Sequence, residues 1–119
     1  MARILVIDDS QLLRVILKEI LIEDGNECYG AATESQGLDI FQKKAPDLVI
    51  KDLVMENSDP LGLIKQFKEI DPGVKIIICS TSTQKNLACQ AIKAGAQDFL
   101  LKPFKPEEVT KTVRRVLAN

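Results

Sequence analysis

The sequence contains no histidine, no tryptophan and a single tyrosine. Without histidine it lacks the side chain that most often moves protons near neutral pH and most often holds zinc. Any chemistry therefore falls to Asp, Glu, Lys, Ser and Thr. Cysteine is scarce as well. Cys28, Cys79 and Cys89 are odd in number, have no C-x-x-C spacing and lie in apolar contexts. That pattern predicts buried, inert thiols rather than a disulfide frame or a metal site.

Charge of one sign is also missing. There are 16 basic and 17 acidic residues, for a net charge of −1. A general nucleic-acid or membrane-surface binder needs a basic surplus, so neither partner is expected. No apolar run approaches the roughly 18 residues of a membrane span, and the N-terminus lacks the charged, apolar and small-residue order of a signal peptide. A cytoplasmic location is the expectation. The chain also lacks low-complexity tracts, short repeats and linkers. Its 119 residues, 45% of them apolar, suffice for one core, and one domain over 1–119 is expected.

What is present is an alternation of apolar runs and helical patterns. Arg3–Ile7 is a short, β-branched run that ends abruptly in Asp8-Asp9, the mark of a buried strand with charge at its tip. Ser10 can cap the helix that follows, in which Leu13, Ile16, Leu17, Ile20 and Leu21 recur at helical spacing before the Gly25 stop. A weak strand at 27–31 precedes Thr33-Glu34-Ser35-Gln36, which fits a capping box, and a helix with Leu38 and Phe41 inward. A third strand at 48–50 ends in Lys51-Asp52, with Lys51 expected to snorkel to water. After a loop over 53–60 comes a helix with Leu63, Ile64, Phe67 and Ile70 inward. The fourth strand, 74–79, ends in Ser80-Thr81-Ser82-Thr83, with Thr83 the expected cap of a helix burying Leu87, Ala88, Ala91 and Ile92. The fifth strand, Asp98–Leu101, ends in Lys102-Pro103. The last helix opens at Pro106, carries Glu107-Glu108 in its first turn and turns Val109, Val113 and Val116 inward.

Strand then helix, five times over, implies a parallel sheet with helices on both faces, joined by right-handed crossovers. In such a sheet all carboxyl ends lie along one edge, where ligands bind. The first polar residues after the apolar strands are Asp8-Asp9, Asp52, Ser80-Thr81 and Lys102. Three carboxylates form a hard oxygen site suited to Mg²⁺. A lysine opposite them balances charge and can hold a phosphoryl oxygen, and a carboxylate can itself be a nucleophile. Phosphoryl transfer needs mainly positioning and charge neutralisation. One acid should accept and the others should hold the metal; the constellation alone does not say which.

Residues 1–119 resemble, end to end, a response-regulator receiver domain, the module of bacterial two-component signalling. The stretches that carry the resemblance are ILVIDDS, PDLVIKDLVM, IIICST, AIKAGAQDFLLKPF and the closing PEEV helix. The resemblance implies a flavodoxin-like sandwich, with a parallel sheet in the order 2-1-3-4-5 flanked by five helices. It implies phosphorylation of Asp52 by a sensor histidine kinase or a histidine phosphotransferase. It implies Mg²⁺, or Mn²⁺ in its place, held by Asp9, Asp52 and the backbone carbonyl of Val54, with Asp8 acting through water. Ser80 and Lys102 would meet the phosphoryl group, Phe99 would be the switch aromatic, and the Lys102-Pro103 bond would be cis. The output would be a changed face formed by the fourth helix, fifth strand and fifth helix, presented to a downstream protein target.

Such a chain is a switch rather than an enzyme proper, although it catalyses its own phosphorylation and slow dephosphorylation. Val54 and Ser82 flank the expected water path, and apolar Val54 cannot orient a water, so a fairly stable phosphoryl group is expected. The alternative is a receiver-like interaction module that is not phosphorylated. A phosphatase of the haloacid-dehalogenase type would want an acid two residues after the nucleophile, where Val54 stands. The chain departs from the family pattern after Met55, where Glu56 replaces the usual proline and the loop is about two residues longer than usual. Leu12, Val15 and Ile22 form a second apolar stripe on the first helix. Leu12 and Val15 are the expected docking contacts for the kinase or phosphotransferase.

Overall fold

The computed structural model describes all residues, 1–119. Five strands alternate with five helices: β1 (Arg3–Ile7), α1 (Gln11–Glu23), β2 (Glu27–Ala31), α2 (Glu34–Lys44), β3 (Leu48–Asp52), α3 (Gly62–Ile70), β4 (Lys75–Ser80), α4 (Lys85–Ala94), β5 (Asp98–Leu101) and α5 (Pro106–Ala118). A short 3₁₀ turn, Ser82–Gln84, precedes α4. All strand pairings are parallel, in the order β2-β1-β3-β4-β5. This is the flavodoxin-like sandwich expected.

The strands explain their own places. β1, β3 and β4 are central and read as apolar runs with charged or polar residues only at their ends, whereas the edge strands β2 and β5 mix exposed and buried positions. Alternate residues of the central strands feed two separate apolar layers. Leu5, Ile7, Val49, Ile76 and Ile78 meet Phe41 of α2, Phe67 of α3 and Ala91 of α4. Ile4, Val6, Leu48, Ile50 and Ile77 meet Leu17 and Leu21 of α1 and Val109, Val113 and Val116 of α5. Each large side chain so buried contributes roughly 1.5–3 kcal/mol. Phe41 and Phe67 stack with ring centroids 4.2 Å apart. α2 lies so close to β1 that a Cβ on Gly37 would stand 2.6 Å from Ile7 Cδ1, which is why glycine occupies the middle of that helix.

Helix ends follow local chemistry. The Ser10 hydroxyl accepts from the Leu13 N–H and opens α1, and the Thr33 hydroxyl accepts from the Gln36 N–H and opens α2. α1 stops before Gly25 and α4 stops at Gly95, both with positive φ.

Several expectations need correction. Thr81, not Thr83, is the cap of the turn before α4, paired reciprocally with Gln84. β4 runs one residue further along the chain than its pattern suggested. Ile70 and Ile92 are exposed, because Ile70 closes α3 as the chain leaves for β4 and Ile92, one residue on from the buried Ala91, is rotated about 100° away from it. Cys79 is buried, but Cys28 is half-buried and Cys89 is exposed on α4. Lys51 does not snorkel: it is wholly buried, because its strand is central and the start of α2 covers its end.

Candidate functional site

The topology brings the strand tips to one edge, and three carboxylates meet there. Oxygens of Asp8, Asp9 and Asp52 all lie within 4.8 Å of one another. Asp8 and Asp52 are buried, whereas Asp9 faces solvent. β1 supplies the first two acids and β3 the third, because β1 and β3 are neighbours with Ile7 opposite Lys51.

Each acid is held differently. Asp8 Oδ1 accepts from the Ser10 N–H at 2.9 Å, so the residue that caps α1 also fixes this carboxylate. The Arg14 guanidinium, one turn into α1, donates to the Asp8 main-chain carbonyl at 2.7 Å. Asp8 Oδ2 is buried and has no hydrogen-bond partner. Asp52 Oδ1 accepts from Lys102 Nζ at 2.9 Å, and the same ammonium stands 3.7 Å from Asp8 Oδ2. Lys102 is itself placed by β4, since its N–H donates to the Ser80 carbonyl at 2.9 Å. The Lys102-Pro103 bond is cis.

The electrostatics are those of crowded acid. Burial pushes the Asp8 carboxyl up, and the charges of Asp52 and Asp9 add to it; the Ser10 N–H and Lys102 oppose it. For Lys102, burial alone would lower the pKa, but the hydrogen bond and charge of Asp52, with Asp8 behind it, outweigh it and raise the pKa. Three acids face one ammonium, and a buried oxygen of Asp8 makes no hydrogen bond. That donor set fits a hard divalent cation, which supplies the charge the site lacks and takes oxygen ligands with retained water. The largest cleft of the molecule, about 820 Å³, lies elsewhere, at the amino edge of the sheet beside Met1, Asp47 and Lys75. A smaller one of about 430 Å³ borders Asp9 and is walled by Glu34, Glu56 and Asn57.

The remaining sequence-predicted residues surround this core. Ser80 is buried at the end of β4, and Val54 is exposed just beyond Asp52. Phe99 of β5 is 45% exposed, sharing an outward apolar face with Leu101. On α1, Leu12 is 68% and Val15 45% exposed, with Ile22 also outward, so the second stripe does face solvent. The loop after Met55 turns at Asn57, whose φ of 58° is left-handed. Ser58 Oγ braces that turn by donating to the Met55 carbonyl at 2.9 Å. From the sequence Arg14 has no place at this edge, and Lys51, although placed at the strand tip, has neither a role nor Glu34 as its partner. A lysine directly before a strand-tip acid was the one available signal for the pair.

Comparison with known proteins agrees with this geometry. The family model described as Response regulator receiver domain matches residues 4–114. The chain is 37% identical over 115 residues to the chemotaxis protein CheY of Thermotoga maritima, covering 96% of each. It is 30% identical to sporulation initiation phosphotransferase F of Bacillus subtilis, covering 97% of this chain and 93% of that one. The crystal structure of the receiver domain of NtrX from Brucella abortus superposes with a TM-score of 0.93 at 31% identity, covering 98% of both chains. In the longer NtrX crystal structure the match spans 27% of that chain.

Proposed function

Because the chain belongs to the response regulator receiver-domain family, a family of signalling switches in which Mg²⁺-dependent phosphoryl transfer is the norm, we propose that Asp52 is its phosphoryl acceptor. The observation that carries the reading is the 2.9 Å contact of Lys102 with Asp52 inside the three-carboxylate cluster. Residues 1–119 act as one receiver unit. The donor is a phosphohistidine on a sensor histidine kinase or a histidine phosphotransferase, and a cytoplasmic location goes with that partner.

An Asp52 carboxylate oxygen attacks the phosphorus, the phosphorus–nitrogen bond breaks, and the imidazole leaves with the bonding pair. Asp9, Asp52 and the Val54 carbonyl are the residues that would hold Mg²⁺, or Mn²⁺, directly, with Asp8 through water. The bound cation supplies neutralisation of the phosphoryl oxygens. Lys102 then leaves its contact with Asp52 to pair with a phosphoryl oxygen, and the Ser80 hydroxyl donates to another. Movement of Ser80 opens room for Phe99 to rotate inward, which alters the face of α4, β5 and α5 offered to a downstream protein target. Phosphorylation thus shifts an existing equilibrium. Apolar Val54 beside the site, with Ser82 across it, goes with slow self-dephosphorylation. Exposed Leu12 and Val15 on α1 suit docking of the donor's helices.

Labelling by acetyl phosphate tests the reading. Wild type takes up one phosphoryl group when Mg²⁺ is present and Asp52→Asn takes up none. Full, Mg²⁺-independent labelling of Asp52→Asn would falsify the reading. The alternative, an interaction module that is never phosphorylated, requires wild type to remain unlabelled in the same assay.

A further inference from the structure

Lys51 has no part in the scheme above, yet it is among the largest fully buried side chains of the molecule. It lies in register with Ile7 on one side and Ile78 on the other, so its stem sits among apolar neighbours on a central strand. A buried ammonium is costly to desolvate, and an apolar side chain of similar volume would fill the slot without that cost. Its charge therefore has to be understood from what it touches.

It touches two groups. Nζ donates to the main-chain carbonyl of Asp52 at 2.8 Å, and stands 3.1 Å from Glu34 Oε2. The carbonyl needs that donor. The Leu53 N–H bonds the Cys79 carbonyl on β4. Successive strand residues turn their polar groups to opposite sides, so the Asp52 carbonyl faces β1. β1 has ended by then, at Ile7 opposite Lys51. The ladder offers no partner, and the ammonium takes its place. Glu34 Oε2 in turn is shut off from solvent and makes no hydrogen bond, which leaves the ammonium charge as its counterpart.

The location of the pair gives it meaning. Glu34 stands in the first turn of α2, directly after β2, and Lys51 is on β3. β1 lies between those two strands, and its tip carries Asp8 and Asp9. The ion pair thus spans the end of the strand that bears two of the three acids, and holds the main chain of the third.

We propose that Lys51 is a positioning residue: tied to Glu34 across the tip of β1, it clamps the Asp52 carbonyl and so sets the spacing of the three carboxylates, and with it the affinity of the site for a divalent cation. The inference rests on the reading of Asp52 as acceptor and deepens it. Groups that orient ligands from behind typically change metal affinity by about 10- to 100-fold when removed.

The test compares wild type, Lys51→Met, and Lys51→Met with Glu34→Leu, which leaves no unpaired buried charge. Each is measured by Mg²⁺ titration calorimetry, thermal unfolding and acetyl phosphate labelling across a Mg²⁺ series. The double variant removes the buried ion pair but leaves the Asp52 carbonyl without its donor, so it is expected to stay folded, to unfold somewhat below the wild-type temperature, and to bind Mg²⁺ roughly 10-fold more weakly. Its labelling rate should approach wild type only at correspondingly higher Mg²⁺. Wild-type Mg²⁺ affinity in the folded double variant overturns the role of Lys51. Failure of wild type itself to label overturns the reading of Asp52 instead. If Lys51→Met alone does not fold, Glu34→Gln supplies the single-site comparison, with weakened Mg²⁺ binding expected and unchanged binding counting against the proposal.

Discussion

Asp52 stands between two lysines whose surroundings are opposite. Lys102 comes from the tip of β5, keeps 21% of its side chain in solvent and meets the carboxylate itself. Lys51 precedes Asp52 on β3, has no solvent exposure and meets the main-chain carbonyl. A group that must meet an incoming phosphoryl has to be reachable and free to move. One that holds the frame has to be shut in and doubly tied. The same residue type serves both ends because its stem accepts burial and its head accepts either a carboxylate or a carbonyl.

That contrast can be broken by experiment. The largest effect is expected at Lys102. Lys102→Met should fold, bind Mg²⁺ at least as well as wild type because a competing cation is gone, and label about 10²- to 10³-fold more slowly. Labelling at the wild-type rate would mean that Lys102 is framework as much as Lys51 is. A smaller effect is expected away from both lysines, on α1. Leu12→Ser with Val15→Ser should slow transfer from the cognate kinase several-fold and leave acetyl phosphate labelling unchanged. Equal loss in the two assays would remove the docking role.

The smallest effect concerns stability, and its sign follows from Asp8. Burial raises its pKa above the usual 3.8. Below pH 3.8 the folded and unfolded chains both carry the proton, and the burial costs nothing. As pH rises past 3.8 the unfolded chain loses its proton first, so stability falls until pH has passed the raised folded value, and stays lower above it. Asp8→Asn keeps an oxygen for the Ser10 N–H and removes the buried charge. Without metal it should unfold a few degrees higher than wild type at neutral pH, with a flatter pH dependence, and added Mg²⁺ should stabilise it less. A lower unfolding temperature for Asp8→Asn would show that Lys102 already balances the acids.

The strand tips were legible because an apolar run that stops at a charge states where burial ends. Asp8, Asp9, Asp52, Ser80 and Lys102 were each found in that way, and the sheet order follows once the family is recognised. Lys51 follows the same local rule, and the rule misplaces it. A lysine at a strand end usually reaches water; here that exit is closed by α2, and Glu34, 17 positions earlier in the chain, receives the charge. Thr81 and Thr83 pose a similar choice, since either hydroxyl could cap and only the Gln84 side chain, which returns to the Thr81 N–H, decides between them. Ile70, Ile92 and Cys89 carry apolar labels but sit where a helix has turned past or outrun the sheet. Sequence periodicity marks a face; it does not mark where the layer beneath that face stops.

The three acids stand so close that proximity alone does not name the acceptor; the contact with Lys102 singles out Asp52. Borohydride reduction of the acetyl phosphate-treated protein converts an aspartyl phosphate to homoserine, which mass spectrometry of peptides can place. Homoserine is expected at position 52 alone and only when Mg²⁺ was present; homoserine at position 8 or 9 would show that another acid accepts the phosphoryl group.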